Sequence, residues 1–254
     1  MEAFCYDNYM KLIQLNTWSC KLPTEITKLF QNEKPDIACL QEIVTAVDGG
    51  KIIDTIDTIL NDYPFEYTFN TPLVEFNFMH RQATRGNMIA SNLTIFNNNE
   101  LWTHGSFFKN FDYINSGGYN VARNIAHAEI STPEGNVHVL TLHGYHIKEH
   151  KNGDEQTMHA CRELVAYASA LHGPVIITGD FNLSPESESL KLVNKAFRNL
   201  SIENELSTTR NHLTSKKEVC DYIFVNDKIR VENFFMSDAV ASDHNALVLE
   251  FSIQ

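Results

Sequence analysis

The sequence lacks long apolar runs: no uncharged hydrophobic stretch approaches the roughly 20 residues that a membrane-spanning helix needs. Its first seven residues contain neither the basic start nor the apolar core of a secretion signal. We therefore expect no membrane insertion and a cytoplasmic location. Internal repeats and long linkers are also missing, and 254 residues suffice for a large core, so we expect a single domain over residues 1–254.

Cysteine is scarce and basic residues are outnumbered. The five cysteines form no Cys-x-x-Cys pair and leave one over, which indicates reduced thiols rather than a disulfide framework. The chain has 20 Lys and Arg against 32 Asp and Glu, a formal charge of −12. This balance argues against broad, sequence-independent binding of nucleic-acid phosphates unless the basic residues are concentrated in one patch.

Apolar periodicity predicts a mixture of helices and strands. The chain begins by alternating strand and helix, whereas residues 63–143 read as consecutive strands, including a hairpin of 123–130 with 137–143. Because hairpins interrupt the helical crossovers, this order indicates an α/β sandwich with mixed sheets rather than a repeated β-α barrel. The other predicted elements are strands over 9–16, 36–42, 174–180, 219–225, 229–236 and 245–253, and helices after Pro23, around Ile52, Ile53, Ile56, Ile59 and Leu60, over 153–171, and from an N-cap at Ser184.

Several apolar strands end abruptly in a polar side chain. Asn16 and Glu42 end the first two predicted strands, and His143 and Asp180 end two later ones. Open α/β sheets bind their ligands in a crevice at such strand ends. We therefore expect these four side chains to converge on one crevice.

The segment Gly179-Asp180-Phe181-Asn182 follows a run of apolar β-formers. An extended backbone would direct Asp180 and Asn182 to one side and Phe181 into the core. The two polar side chains can then hold one oxygen or one water. The alternative is a plain turn, because glycine, aspartate and asparagine are common turn residues.

A second polar group is Ser242-Asp243-His244, which precedes the last predicted strand. Histidine suits proton transfer because its reference pKa of about 6.5 lies near neutrality. Asp221, at the start of another strand, can orient the imidazole. The alternatives are a capped strand entry with a surface histidine and a solvent-facing strand end.

Glu42 ends a buried strand and has no basic neighbour in the sequence around it. A buried carboxylate of this kind favours a divalent cation, since burial and other acids both oppose its charge. An all-oxygen set of Glu42, Asp243 and Asn16 suits a hard ion such as Mg²⁺ or Mn²⁺. The less favoured alternative is a glutamate that pairs with Arg or Lys across the sheet.

Six short motifs are spread from residue 15 to residue 244. They are Leu15-Asn16-Thr17-Trp18, Leu40-Gln41-Glu42, Thr141-Leu142-His143, Gly179-Asp180-Phe181-Asn182, Cys220-Asp221-Tyr222-Ile223-Phe224 and Ser242-Asp243-His244. Together and in this order they resemble the endonuclease/exonuclease/phosphatase superfamily. The resemblance implies a four-layer α/β sandwich, with two central mixed β-sheets flanked by helices, and metal-assisted hydrolysis of phosphoesters.

The resemblance also implies roles for single residues. Glu42 would be the principal metal ligand, with Asn16 and Asp243 nearby. Asp180 and Asn182 would position the attacking water or steady the phosphate.

Further roles follow from the same motifs. His244, oriented by Asp221, would act on the nucleophile or the transition state. His143 stands where many relatives have a phosphate-contacting histidine, although the residues around it depart from the usual Asn-Thr-His-Leu order. Arg123 and Asn87 would face the substrate, with a structural role as the alternative for both.

The sequence as a whole predicts a Mg²⁺-dependent phosphoesterase, first of all a phosphodiesterase of nuclease type with nucleic acid as one candidate substrate. The alternatives are a phosphomonoesterase for a small phosphorylated metabolite or lipid head group, and a non-catalytic module that binds phosphorylated partners. Loops at 71–86 and 104–120 contain aromatic and basic residues that either contact such a substrate or anchor the loops. A basic rim, or ordinary surface charge, is formed by Lys148, Lys151, Arg210, Lys216 and Lys217.

Overall fold

The computed structural model describes residues 9–47, 55–78, 81–112 and 121–254. Its strands are β1 Met10–Asn16, β2 Ile37–Ala46, β3 Tyr67–Phe78, β4 Arg81–Ser91, β5 Ile95–His104, β6 Arg123–Thr132, β7 Gly135–His143, β8 Val175–Asp180, β9 Arg198–Asn199, β10 Asp221–Val225, β11 Ile229–Met236 and β12 Leu247–Ile253. Its helices are α1 Pro23–Glu33, α2 Ile56–Asp62, α3 Glu155–Ser169, α4 Glu188–Ala196 and α5 Leu200–Glu203, and a short 3-10 turn, Trp18–Cys20, follows β1.

The strands of the described residues form two sheets of six strands each. The first sheet has the order β11-β12-β1-β2-β4-β3, and the second has the order β5-β6-β7-β8-β10-β9. In each sheet one central pair is parallel, β1 with β2 and β7 with β8, while the other pairs are antiparallel. Both sheets are therefore mixed, as predicted.

Apolar side chains of the two sheets meet in a shared central core. Leu12 and Leu249 reach it from the first sheet, and Val139 and Ile223 from the second, all fully buried. Burying a side chain of this size stabilises the fold by about 2 kcal/mol. Helices α1 and α2 cover the outer face of the first sheet, and α3 and α4 cover that of the second, which confirms the four-layer sandwich.

Strand register brings the predicted site residues to one end of the sheets. His143, the last residue of β7, lies beside Asp180, the last residue of β8. Asp221, the first residue of the antiparallel strand β10, lies on the other side of Asp180. In the first sheet Asn16 ends β1 beside Gln41 of β2. The predicted convergence of strand ends is therefore present.

Several predicted element boundaries are wrong, and residues 71–86, predicted to be a loop, lie mostly in β3 and β4, which pair with each other antiparallel. Strand β2 does not end at Glu42 but continues to Ala46, with an irregularity in its pairing with β4 between Leu40 and Ile43. The helix expected to start after Ser184 begins at Glu188 instead, because Ser187 is the residue whose hydroxyl accepts from the backbone N–H of Leu190.

The hairpin of β6 with β7 is confirmed, and α2 occupies part of the helix predicted around Ile52–Leu60. Ile52 and Ile53 lie outside the described residues. Cys20, Cys39, Cys161 and Cys220 are free and buried, as predicted for reduced core thiols, and Cys5 lies outside the described residues. Within the described ranges, no helix combines the length and the apolar character that crossing a membrane requires.

Candidate active site

A cleft with a volume of about 360 Å³ opens at the strand ends that carry the predicted site. Acidic, basic and imidazole side chains line it together. Glu42 comes from the first sheet, Asp180 from the second and Asp243 from the loop before β12, so the acids converge from different elements and the cleft is strongly polar. Its charged and imidazole lining residues are Glu42, Asp180, Asp243, Lys21, Arg85, Arg123, Arg210, Lys216, His143, His146 and His244.

Asp180 is at the centre of the polar contacts. Its Oδ2 accepts a hydrogen bond from Asn16 Nδ2 at 3.1 Å. The same oxygen lies 3.8 Å from His143 Nε2, 3.7 Å from His244 Nε2 and 4.0 Å from Arg210 Nη2. Burial works to raise the pKa of this carboxyl, but His244, His143 and Arg210 hold it well below its usual range. Asp180 is therefore an ionised carboxylate in a ring of donors.

His244 and Asp221 form a buried hydrogen-bonded dyad. His244 Nδ1 donates to Asp221 Oδ2 at 2.8 Å. Asp221, which has no exposed surface, also accepts from Thr209 Oγ1 at 2.6 Å and from Gln14 Nε2 at 3.1 Å. Burial works to lower the pKa of His244, but Asp221 outweighs it and the pKa is raised. The dyad fixes the imidazole so that Nε2 faces Asp180.

Glu42 has a basic partner, so the expectation of an unpaired carboxylate at this position is wrong. An Nη of Arg85, from the neighbouring strand β4, forms an ion pair with Glu42 Oε2. Burial works to raise the pKa of Glu42, but Arg85 holds it well below its usual range. Glu42 adopts a positive φ of 57° where the pairing of β2 is irregular, and such bulges re-aim a side chain.

Asn16 connects the two carboxylates. Its Nδ2 donates to Glu42 Oε1 at 3.2 Å and to Asp180 Oδ2 at 3.1 Å. Its side-chain oxygen accepts from the backbone N–H of Trp18 at 3.1 Å. Asn16 was expected to be a metal ligand; here its side-chain oxygen accepts one hydrogen bond, and its amide nitrogen aligns the two acids.

Asn182 faces the cleft as expected, although the backbone is not extended. Its φ is 54°, a left-handed conformation that asparagine tolerates. Lys151 Nζ donates to Asn182 Oδ1 at 2.6 Å, and the intervening Phe181 is buried in the core. The side-chain directions predicted for 180–182 are therefore present, reached by a turn rather than by strand alternation.

His143 lines the cleft between the two carboxylates. Its Nε2 is 3.8 Å from both Glu42 Oε1 and Asp180 Oδ2. Burial, followed by the charge of Arg123, lowers the pKa of His143 to about 3. The imidazole is thus neutral at physiological pH. Arg123 also lines the cleft, held by a hydrogen bond from its Nε to the carbonyl of Gly144 at 2.9 Å.

Asp243 faces the cleft beside a third arginine, Arg210. Arg210 Nη1 lies 3.4 Å from Asp243 Oδ2 and contacts His244 Nε2. From the sequence, Arg210 was expected on a basic rim or as ordinary surface charge, yet its side chain is 4% exposed and lies inside the site. Nothing in the local sequence distinguishes it from a surface arginine, so only the fold reveals this position.

Asn87 does not line the cleft, contrary to the expected substrate contact. It is fully buried, and its Nδ2 donates to Asn124 Oδ1 at 3.1 Å, which links β4 to β6 below the site.

A second buried polar layer was missed altogether. Gln14 Nε2 donates to Gln41 Oε1 at 2.9 Å, and Gln41 Nε2 donates to Thr141 Oγ1 at 2.9 Å, joining the two sheets. The sequence signal for this polar layer was the presence of two glutamines inside otherwise apolar strands.

The lining residues suit a hard divalent cation. Glu42, Asp180 and Asp243 present carboxylate oxygens to the cleft, the donor type that Mg²⁺ and Mn²⁺ prefer. In the described chain, potential ligand atoms of Asp180, Asp221 and His244 lie within 4.8 Å of one another, but Asp221 is enclosed and committed to three donors. Glu42 and Asp243 therefore remain the better carboxylates for an ion.

The comparisons with known proteins agree with this geometry. The model of the Endonuclease/Exonuclease/phosphatase family matches residues 13–244. No curated protein sequence matches the chain.

Three solved structures illustrate the similarity of fold. An endonuclease/exonuclease/phosphatase from Beutenbergia cavernae has a TM-score of 0.71 at 15% identity, over 97% of this chain and 72% of that one. The mannosyl-6-phosphatase of Bacteroides thetaiotaomicron has a TM-score of 0.68 at 15% identity, over 96% of this chain and 100% of that one. The catalytic domain of human Nocturnin has a TM-score of 0.68 at 17% identity, over 97% of this chain and 94% of that one.

At these identities the solved structures establish the fold alone. The family match is the stronger finding, because it spans nearly all of the described sheets and includes every one of the six motifs. The chain therefore belongs to the endonuclease/exonuclease/phosphatase family, whose members are generally phosphoesterases and typically use a divalent metal.

Proposed function

We propose that this protein is a divalent-metal-dependent phosphoester hydrolase, with Mg²⁺ or Mn²⁺ as its cofactor. One observation carries the proposal. The Asp221–His244 dyad opens onto Asp180, with His143 and Asn182 in the same cleft. A positioned imidazole, an ionised carboxylate and amide donors are the groups that phosphoester hydrolysis requires.

Glu42 and Asp243 would hold the metal, and Asn16 would keep Glu42 aligned with Asp180. When bound, a divalent ion supplies positive charge for the oxygens of a phosphoryl group. Arg85 already forms an ion pair with Glu42, and Arg210 forms one with Asp243. The negative charge of both acids is therefore partly balanced before an ion enters. Members of the family typically use such an ion.

The protein's own residues account for the remaining steps. Asp180, as an ionised acceptor, orients the attacking water, and Asn182 holds an oxygen of the phosphate. His244, whose pKa is raised, donates as an imidazolium through Nε2 to a second phosphate oxygen while Asp221 holds Nδ1–H in place. His143, neutral and buried, offers a further hydrogen bond. Negative charge that develops on the phosphoryl group is thereby shared among fixed donors.

Two ester classes are candidate substrates. The sequence favours a phosphodiester, as in nuclease-type cleavage of nucleic acid, and a phosphomonoester of a small metabolite or lipid head group is the alternative. More basic than acidic residues line the cleft. This supports the phosphomonoester, because a monoester brings more negative charge to the site than a diester does. One of the similar structures is a mannosyl-6-phosphatase, which supports it further.

The test is release of 4-nitrophenol from an aryl phosphomonoester and an aryl phosphodiester, with Mg²⁺ or with a chelator. We expect cleavage of at least one substrate that stops when the chelator is added. Asp180→Asn and His244→Ala should lower turnover about a thousandfold and leave the melting temperature within a few degrees. If neither substrate is cleaved while calorimetry still detects metal binding, the protein is a non-catalytic binding module instead.

A further inference from the structure

Arg210 is fixed by its backbone before any ligand arrives. Its carbonyl accepts from Asn245 Nδ2 at 3.2 Å, and its N–H donates to Thr208 Oγ1 at 3.0 Å. The flanking residues are tied to the loop of the catalytic dyad, with Asn245 N donating to the carbonyl of Thr209 at 2.9 Å. Arg210 also pairs with His244 in an isolated antiparallel bridge. The guanidinium is therefore carried on a preorganised segment.

The hydrogen-bonding capacity of this guanidinium is only partly used. The side chain is 4% exposed, and its Nε has no hydrogen-bond partner among the residues described. Its approaches to Asp243 Oδ2 at 3.4 Å and to Asp180 Oδ2 at 4.0 Å are longer than the roughly 2.8 Å of a strong charge-assisted hydrogen bond. A buried, incompletely satisfied donor at this position is suited to an acceptor that enters the cleft.

The contact between Arg210 and His244 determines which atom that acceptor is. Nη1 of Arg210 touches Nε2 of His244, and Nδ1 of the imidazole is already used by Asp221. Because a guanidinium only donates, Nη1 points its hydrogen at Nε2, and an oxygen that binds beside His244 Nε2 also lies within reach of Arg210. In the hydrolase proposed above, that oxygen belongs to the scissile phosphate.

The charge of the cleft indicates what kind of phosphate it is. Five basic residues line the cleft against three acidic ones, in a chain whose formal charge is −12. A planar guanidinium binds two oxygens of a phosphate at once. A phosphomonoester keeps three terminal oxygens and a charge near −2 at neutral pH, whereas a diester keeps two such oxygens and a single charge. A monoester therefore accepts hydrogen bonds from more of the donors in the cleft and balances more of its positive charge.

We propose that Arg210 is a specificity residue that selects a terminal phosphate, so that the substrate is a phosphomonoester. This inference rests on the proposed phosphoester hydrolysis and adds the ester class. Arg210 binds a non-bridging oxygen jointly with His244 and leaves the attacking water to Asp180. Water is added across the P–O bond: its oxygen joins phosphorus, and the alcohol leaves with a proton.

The test compares kcat/KM for 4-nitrophenyl phosphate and for a 4-nitrophenyl phosphodiester of a nucleoside, using wild type and two variants. We expect the wild type to prefer the monoester. Arg210→Gln should lower kcat/KM for the monoester about a hundredfold and for the diester less than about tenfold. Arg210→Lys, which keeps the charge and loses the planar fork, should lie between. Arg230→Gln, at an exposed arginine on β11, is the matched control.

A second readout does not require turnover. Inorganic phosphate, titrated calorimetrically into the metal-loaded protein, should bind Arg210→Gln at least tenfold more weakly than wild type and Arg230→Gln with wild-type affinity. A diester preference in wild type, or equal losses on both esters in Arg210→Gln, overturns the inference while phosphoester hydrolysis stands. Cleavage of neither ester overturns the proposed function, and equal phosphate affinities then also overturn the role of Arg210.

Discussion

Asp221 shows how a single buried carboxylate controls a histidine that lies 23 residues further along the chain. It accepts hydrogen bonds from Gln14, Thr209 and His244, and it has no exposed surface. Three donors hold the carboxylate in place, so the imidazole keeps one orientation, with Nδ1 towards Asp221. Its contribution to catalysis acts through His244 and not through contact with substrate.

Asp221→Asn should keep the fold and lower kcat about a thousandfold, with little change in KM. The amide removes the negative charge that holds Nδ1–H of His244, so the ring loses its fixed tautomer. Steady-state kinetics on the better aryl phosphoester measures this. Asp227→Asn, at the exposed turn beyond the other end of β10, is the control and should behave as wild type. Near-normal kcat in Asp221→Asn would contradict the positioning role.

The ion pair of Arg85 with Glu42 has a different role. Both side chains are largely buried, so neither charge is well solvated when its partner is removed. Breaking a buried ion pair on one side costs about 3 kcal/mol or more, because the remaining charge is left in a poorly solvated site. A divalent cation can replace the missing positive charge.

Arg85→Gln should therefore lower the free energy of unfolding in chelator by about 3 kcal/mol. Adding Mn²⁺ should raise the melting temperature of this variant more than that of wild type. Urea and thermal unfolding with and without metal provide the measurement. Arg198→Gln, which breaks an exposed pair with Glu203, should change stability by less than about 1 kcal/mol under both conditions. An equal response of Arg85→Gln and wild type to Mn²⁺ would contradict this account of the pair.

At the scale of the elements, a chain of hydrogen bonds ties β6 and β7 to α3. His138 Nε2 donates to the carbonyl of His172 at 3.2 Å, so its Nδ1 accepts from His127 Nε2 at 3.1 Å. His127 Nδ1 then accepts from the Tyr167 hydroxyl at 2.8 Å. In this direction His127 donates through Nε2 and accepts through Nδ1, so its imidazole is neutral. Burial, and then His138, lower the pKa of His127 to about 4.

This chain predicts a pH-dependent loss of stability. The pKa of His127 is lower in the folded state than its ordinary value of 6.5, so the unfolded chain binds a proton first as the pH falls. The stabilisation that neutral His127 contributes is complete above about pH 6.5 and is lost as the pH falls towards 4. By pH 5 this loss lowers the free energy of unfolding by about 1–2 kcal/mol. Urea unfolding at about pH 7.5 and pH 5 should show a smaller drop in His127→Gln than in wild type. Equal drops would sink the prediction.

At the scale of the whole molecule, the fold joins polar residues that are far apart in the sequence. Each sheet contributes its own strand ends, from Asn16 and Glu42 in one and from His143, Asp180 and Asp221 in the other. The apolar layer between the sheets sets their spacing. The two polar edges therefore form one cleft.

Much of this arrangement was predictable from sequence. The mixed sandwich follows from strand periodicity, and the convergence of His143, Asp180 and Asp221 follows from their positions at strand ends. Each rests on a local pattern, since a strand that changes from apolar to polar marks its own end.

Other features depend on contacts between segments that no local pattern encodes. The bulge that re-aims Glu42 arises from its pairing with β4, and the ion pair with Arg85 follows from the same pairing. Arg210 reaches the site because its loop binds the loop of His244. Asn87 has the expected residue type, but the fold places it below the cleft.

The central claim is that Glu42, Asp180 and His244 act as one metal-dependent site. The most direct measurement is kcat for Mg²⁺-dependent phosphoester hydrolysis by Glu42→Gln, Asp180→Asn, His244→Ala and the double variant of the last two. We predict a loss of at least about a hundredfold in each single variant, and a double variant scarcely slower than the worse single one, because residues that act as a unit are not additive. Folded single variants that retain turnover within a few-fold of wild type would contradict the account.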